Sequence, residues 1–159
     1  MIKNLNDEDK SKLPLENRKQ DRGFRVFKLA ESNFKTWNAD IPSGDVAALK
    51  KQLELHINHI RDGRTPDDIL YEILLKSGFP LPTPVEKLTM DGKTVFSTAG
   101  RALLICLERN LTLEFIRAMA EQKPERIVCL DEGFSGNDQL KANAVQIFKT
   151  KGVTSFKTV

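Results

Sequence analysis

The stretches ALLICL (102–107), RIVCLDEGF (126–134), NDQLKANAVQIFKTKG (137–152) and VTSFKTV (153–159) decide the fold. The first two are apolar runs too short for helices and are bounded by charged or turn residues, so each reads as a buried strand. Between them, Phe115, Ile116, Met119 and Ala120 recur at helical spacing, with Asn110 or Thr112 as the cap and Pro124 as the stop. In the third, Leu140, Ala144, Ile147 and Phe148 share one helical face, and Gly152 ends it. A closing strand falls near 155–158. Strand, helix, strand, helix, strand in this order predicts a small parallel sheet with crossover helices.

Upstream, VEKLTM and KTVFST flank Asp91-Gly92, the sequence of a two-residue type I′ hairpin turn. An antiparallel hairpin therefore leads into the parallel strands. FPLPTP before it is a stiff connection that cannot be helical. Thr65 caps a helix with Pro66 at its first position and Asp67 and Asp68 in its first turn; Ile69, Leu70, Ile73 and Leu74 form its buried face. Val46, Leu49, Leu53, Ile57 and Ile60 predict an earlier helix over 45–61, its apolar stripe buried and the two helices paired as a hairpin. FRVFK (24–28) reads as a short strand. Met1 to Arg22 is a polar arm or linker. The expectation is an α/β fold: a single three-layer-like domain over 23–159 with a mixed sheet, plus a two-helix segment.

Of 159 residues, 40% are hydrophobic and 30% charged, which suits one compact core with a solvated surface. The net charge of +3 permits a nucleic-acid partner without arguing for one. Cys106 and Cys129 each sit inside an apolar strand, so they read as buried, reduced thiols of a cytoplasmic protein. No run approaches the ~18 apolar residues of a membrane span.

Several residues invite a chemical reading. Asp131 and Glu132 end a parallel strand, where open α/β sheets bind ligands; Glu108 ends its neighbour and Asp138 opens the last helix. Together these four carboxylates would suit a divalent cation of a metal-dependent phosphoesterase or nuclease, although their spacing matches no specific motif and ordinary loop and helix-terminus roles explain them. GFSGND lacks the lysine and hydroxyl of a phosphate-binding loop. His56 and His59 are three apart on one helix face, without further histidine or cysteine to complete a zinc site. Phe34 and Trp37 suit packing on the domain, with a docking patch that includes Phe134 as the alternative. Lys141, Lys149, Lys151 and Lys157 suit weak phosphate contact or the C-terminal end of a helix dipole. No nucleophile motif is present.

Three stretches, GFRVFKLAESNFKTW (23–37), DDILYEILLKSGFPL (67–81) and ERIVCLDEGFSGNDQLKANAVQIFKTKGV (125–153), together resemble the C-terminal region of the methylation subunit of type III restriction-modification systems. That family's members are adenine-specific N6 DNA methyltransferases using S-adenosylmethionine. Its catalytic motif D-P-P-Y and cofactor motif F-x-G-x-G do not occur here, so no catalytic or cofactor-binding residue carries over. The resemblance implies a C-terminal fragment or separately expressed tail, inactive alone, that contacts a methylation subunit, a restriction subunit, or DNA through the parent complex.

Overall fold

The computed structural model describes residues 24–37, 44–57, 59–134 and 136–159; the side chains of 55–57 also lie outside the description. The polar arm at 1–22 is therefore outside it. The chain divides into two compact units, Met1–Glu31 and Ser32–Val159. In the first, residues 24–30 form no regular element. The strand expected at FRVFK is not made: among the described residues no strand pairs with it, and an isolated extended segment has no ladder to hold it.

The second unit is a five-stranded mixed sheet flanked by helices. Its described elements are α1 (Val46–Ile57), α2 (Pro66–Lys76), β1 (Val85–Met90), β2 (Lys93–Thr98), β3 (Leu103–Cys106), α3 (Leu113–Glu121), β4 (Arg126–Cys129), α4 (Asp138–Thr150) and β5 (Ser155–Thr158). A 3₁₀ turn covers Asp131–Phe134. The strands lie in chain order across the sheet. β1, β2 and β3 pair antiparallel; β3, β4 and β5 pair parallel, with Cys106 opposite Cys129 and Cys129 opposite Thr158.

Local chemistry explains each boundary. Asp91 and Gly92 both take positive φ, 47° and 73°, as a type I′ turn requires, and Met90 pairs directly with Lys93. Thr65 and Asp68 form a reciprocal capping box: the Asp68 N–H donates to Thr65 Oγ1 (3.2 Å) and the Thr65 N–H donates to Asp68 Oδ2 (2.9 Å). Thr112 caps α3 by accepting from the Phe115 N–H at 3.2 Å. Asn137 caps α4, accepting from the Leu140 N–H at 2.9 Å, which leaves Asp138 in the first turn beside the helix dipole.

Both faces of the central strands are buried. On one face, Leu104, Cys106, Ile127 and Cys129 pack with Phe115, Ile116 and Met119 of α3 and Ala144 and Phe148 of α4. On the other, Leu103, Ile105, Val128 and Phe96 pack with Ile69, Leu70, Ile73 and Leu74 of α2. This makes three layers. Full burial of each such leucine, isoleucine or phenylalanine is worth about 1.5–3 kcal/mol. Cys106 and Cys129 are buried and unbridged; the hydrogen bond to Cys106 and burial together push the Cys129 thiol well up, so it keeps its proton.

α1 departs from expectation in two ways. It ends at Ile57 rather than near Arg61, because His59–Arg61 leave the helix to pair with 33–35. Its apolar stripe is also not buried: Val46 is 74%, Leu49 41% and Leu53 54% exposed, whereas the polar Gln52 is only 7% exposed.

Candidate functional site

α2 covers the middle of its sheet face, and a cleft of about 470 Å³ opens beside it above β4 and β5. Its far wall is built by long-range polar contacts. The Lys35 N–H donates to the His59 carbonyl (2.7 Å) and the Arg61 N–H to the Asn33 carbonyl (2.8 Å), so 33–35 and 59–61 run as a short antiparallel bridge.

Glu72, on α2, anchors that bridge. Its carboxylate accepts from Ser32 Oγ (2.5 Å), from the Asn33 N–H (2.6 Å) and from Lys76 Nζ (2.7 Å). Asn33 Nδ2 adds a bond to the Asp68 carbonyl at 2.9 Å. Burial acts to raise the Glu72 pKa, but the bonds from Lys76, Ser32 and Asn33 outweigh it and hold the group below its ordinary 4.5. Nothing in the local sequence marks Glu72, because its partners Ser32 and Asn33 are 40 and 39 residues away.

Four cations line the cleft, Lys35, Lys76, Arg126 and Lys157. Arg126 is held in place: its Nη1 donates to the Ser77 carbonyl at 3.0 Å, and its guanidinium lies 4.9 Å from the Phe79 ring centroid. Lys76 Nζ sits 4.9 Å above the Phe34 ring. Phe34 in turn stacks on His59, centroids 5.8 Å apart and planes 11° off parallel. Nε2 of His59 is buried with no hydrogen-bond partner among the described residues. Ile73, Leu103 and Val128 give the cleft an apolar floor.

The residues singled out in the sequence fare differently. Lys141 bonds Asp131, and Arg109 Nε lies 3.3 Å from Glu132 Oε2. Glu108 Oε1 accepts from the Thr94 N–H at 3.1 Å. Among the described residues no group of three or more histidines, cysteines or carboxylates is placed to hold a metal ion, so Glu108, Asp131, Glu132 and Asp138 are not brought together as one. The sheet explains this. Its parallel strands succeed one another in a single direction, so no reversal of strand order opens a crevice at the strand ends.

Phe134 does not lie on the surface of this chain. At 3% exposure it belongs to the core, edge-on to Phe156 at 6.1 Å, because the 3₁₀ turn folds it back under α4. Phe34 is half-buried in the cleft wall, and Trp37 is half exposed. The late lysines separate: Lys141 pairs with Asp131, Lys151 lies 3.0 Å from Glu121, and of the four only Lys157 lines the cleft. The His56 side chain is outside the described residues.

Fold and cleft together define the class: a three-layer α/β domain carrying a cation-lined recess. No family model matches this chain, and no curated protein matches it. Among the described residues, no helix is long and apolar enough to cross a membrane.

Proposed function

We propose that the chain is a C-terminal assembly domain of a type III restriction-modification methylation subunit. It acts by contact rather than catalysis. It docks onto the methylation subunit, supporting subunit pairing and recruitment of the restriction subunit, and reaches DNA only through that cytoplasmic complex. Methyl transfer to adenine N6 from S-adenosylmethionine belongs to the parent protein, whose D-P-P-Y and F-x-G-x-G motifs have no counterpart here.

The resemblance of 23–37, 67–81 and 125–153, in order, supports the family. The single observation that carries the contact role is the outward stripe of α1. A helix that turns Val46, Leu49 and Leu53 to solvent while burying Gln52 has its amphipathicity reversed relative to its own domain. Such a face gains free energy when a second surface covers it.

The test is reconstitution. The purified chain is mixed with a type III methylation subunit truncated before the matching region, and the mixture is followed by size-exclusion chromatography with light scattering. Co-elution as a complex is expected. Separate elution, or calorimetric binding of S-adenosylmethionine by the chain alone, would overturn the reading.

A further inference from the structure

Beyond the contact role, we infer that Cys106 and Cys129 form an oxidation site, at which a hydroperoxide joins them as an intrachain disulfide between β3 and β4. Position is the first argument. The chain has two cysteines, and they face each other across one rung of the parallel ladder. Neighbouring strands lie about 4.8 Å apart, inside the Cα separation of about 4.4–6.8 Å that a disulfide spans. Both side chains point to the same face, into the core with Phe115 and Met119. The two thiols are unbridged and already share a hydrogen bond, so the sulfurs need little travel to join. A core asks of a thiol only that it be small and apolar, which explains a cysteine at either place but not the pairing of both on one rung.

The second argument is the place of that rung, the last of the β3–β4 ladder. Beyond it the 3₁₀ turn Asp131–Phe134 follows β4, and residues 107–112 form no regular element. The small approach that an S–S bond demands therefore falls where the backbone leaves the sheet. Leu111 and Phe134 of these two segments cover the thiols in one cluster, tied by the Leu111 N–H donating to the Gly133 carbonyl at 2.8 Å. Local opening of such a cover admits a molecule near water in size and still excludes a bulky aromatic reagent.

The third argument is that the thiols are unequal. The hydrogen bond with Cys129, helped by one from the Glu108 N–H, holds Cys106 below its ordinary 9.0 against the effect of burial, while Cys129 is pushed up. Cys106 is thus the attacking sulfur. Its thiolate bonds one peroxide oxygen as the O–O bond breaks, and the leaving hydroxide takes up the proton Cys106 released, giving a sulfenic acid and water. The Cys129 sulfur then displaces hydroxide from the sulfenic sulfur: the S–S bond forms, the S–O bond breaks, and the Cys129 proton leaves with the hydroxide as a second water. The two thiols lose two electrons and two protons, and the peroxide gains both.

The test treats the intact native chain with hydrogen peroxide, stops the reaction by unfolding in urea with N-ethylmaleimide, and reads the product by mass spectrometry. A monomer lighter by two hydrogens is expected, carrying no maleimide, with the peptides of Cys106 and Cys129 joined and both thiols restored by dithiothreitol. Closing this loop in the native register should raise the Tm of the oxidised chain by roughly 5 °C or more over the reduced one. Peroxide-treated Cys129→Ala should show no such rise over its own untreated form. Thiols still free after prolonged exposure, sulfinic acid at either cysteine, disulfide-linked dimers, a lower Tm in the oxidised chain, or the same rise in Cys129→Ala would each overturn the inference. None of these results bears on co-elution with a methylation subunit, so the two proposals fail separately.

Discussion

Replacing Glu72 by alanine removes the post that ties 32–35 to α2. Three donors lose their acceptor: Ser32 Oγ, the Asn33 N–H and Lys76 Nζ. Lys76 is largely exposed and turns to water at little cost. Asn33 is only 7% exposed, so its N–H is left buried and unpaired, at a cost of about 1–3 kcal/mol. The Ser32 bond to a charged group adds about 1.5–3 kcal/mol. Because the two sites are adjacent and not additive, about 3 kcal/mol of destabilisation is expected, which corresponds to a fall in Tm on the order of 10 °C for a domain of this size. Urea unfolding followed by circular dichroism measures it. Hydrogen exchange supplies the local readout: the Lys35 and Arg61 amides, bonded to His59 and Asn33, exchange faster in the variant, while those of β3 and β4 do so only through the global loss. A loss under about 0.5 kcal/mol, with Lys35 and Arg61 unchanged, would refute the reasoning and reduce Glu72 to an ordinary surface pair.

The same carboxylate sets a pH dependence. Its folded pKa is depressed, so its contribution to stability is complete above the ordinary 4.5 and is lost as pH falls through the lower folded value; the stability difference between the wild type and Glu72→Gln should shrink in that acid window when Tm is measured against pH. Gly133→Ala puts a Cβ 2.7 Å from the Glu108 carbonyl oxygen and 3.0 Å from Leu111 Cδ1, so the 3₁₀ turn must shift, and urea unfolding should show a loss of about 1–3 kcal/mol. The two thiols should react with a colorimetric disulfide reagent only in denaturant, since Cys106 and Cys129 are buried and Cys129 holds its proton; prompt reaction of the native chain would contradict the packing of β3 on β4.

The parallel half of the sheet could be read from the sequence because each strand is a short apolar run buried on both faces and each crossover has a period of 3.6. The Asp91-Gly92 turn and the Thr65 cap were legible for the same reason: their chemistry is complete within four residues. What escaped depends on distance. Glu72 matters through residues some 40 positions away, and the cleft gathers Lys35, Lys76, Arg126 and Lys157 from four separate places in the chain. Periodicity also cannot tell inside from outside. The stripe of α1 was correctly apolar and its direction was wrong, because the cover it suits is not supplied by the sheet. Phe134 erred the other way: a phenylalanine in a glycine-bounded loop reads as exposed until the 3₁₀ turn carries it into the core.

The central claim rests on that stripe, and Leu49→Glu/Leu53→Glu tests it. Each leucine keeps about half its surface open, so covering it contributes about 1 kcal/mol, and a charge buried in its place adds a further penalty. The affinity of the double variant for the truncated methylation subunit, measured by interferometry beside the Tm of the variant alone, should fall by about 100-fold or more with Tm unchanged. Wild-type affinity in the variant, or a Tm loss showing that the stripe is packed within the chain itself, would contradict the account.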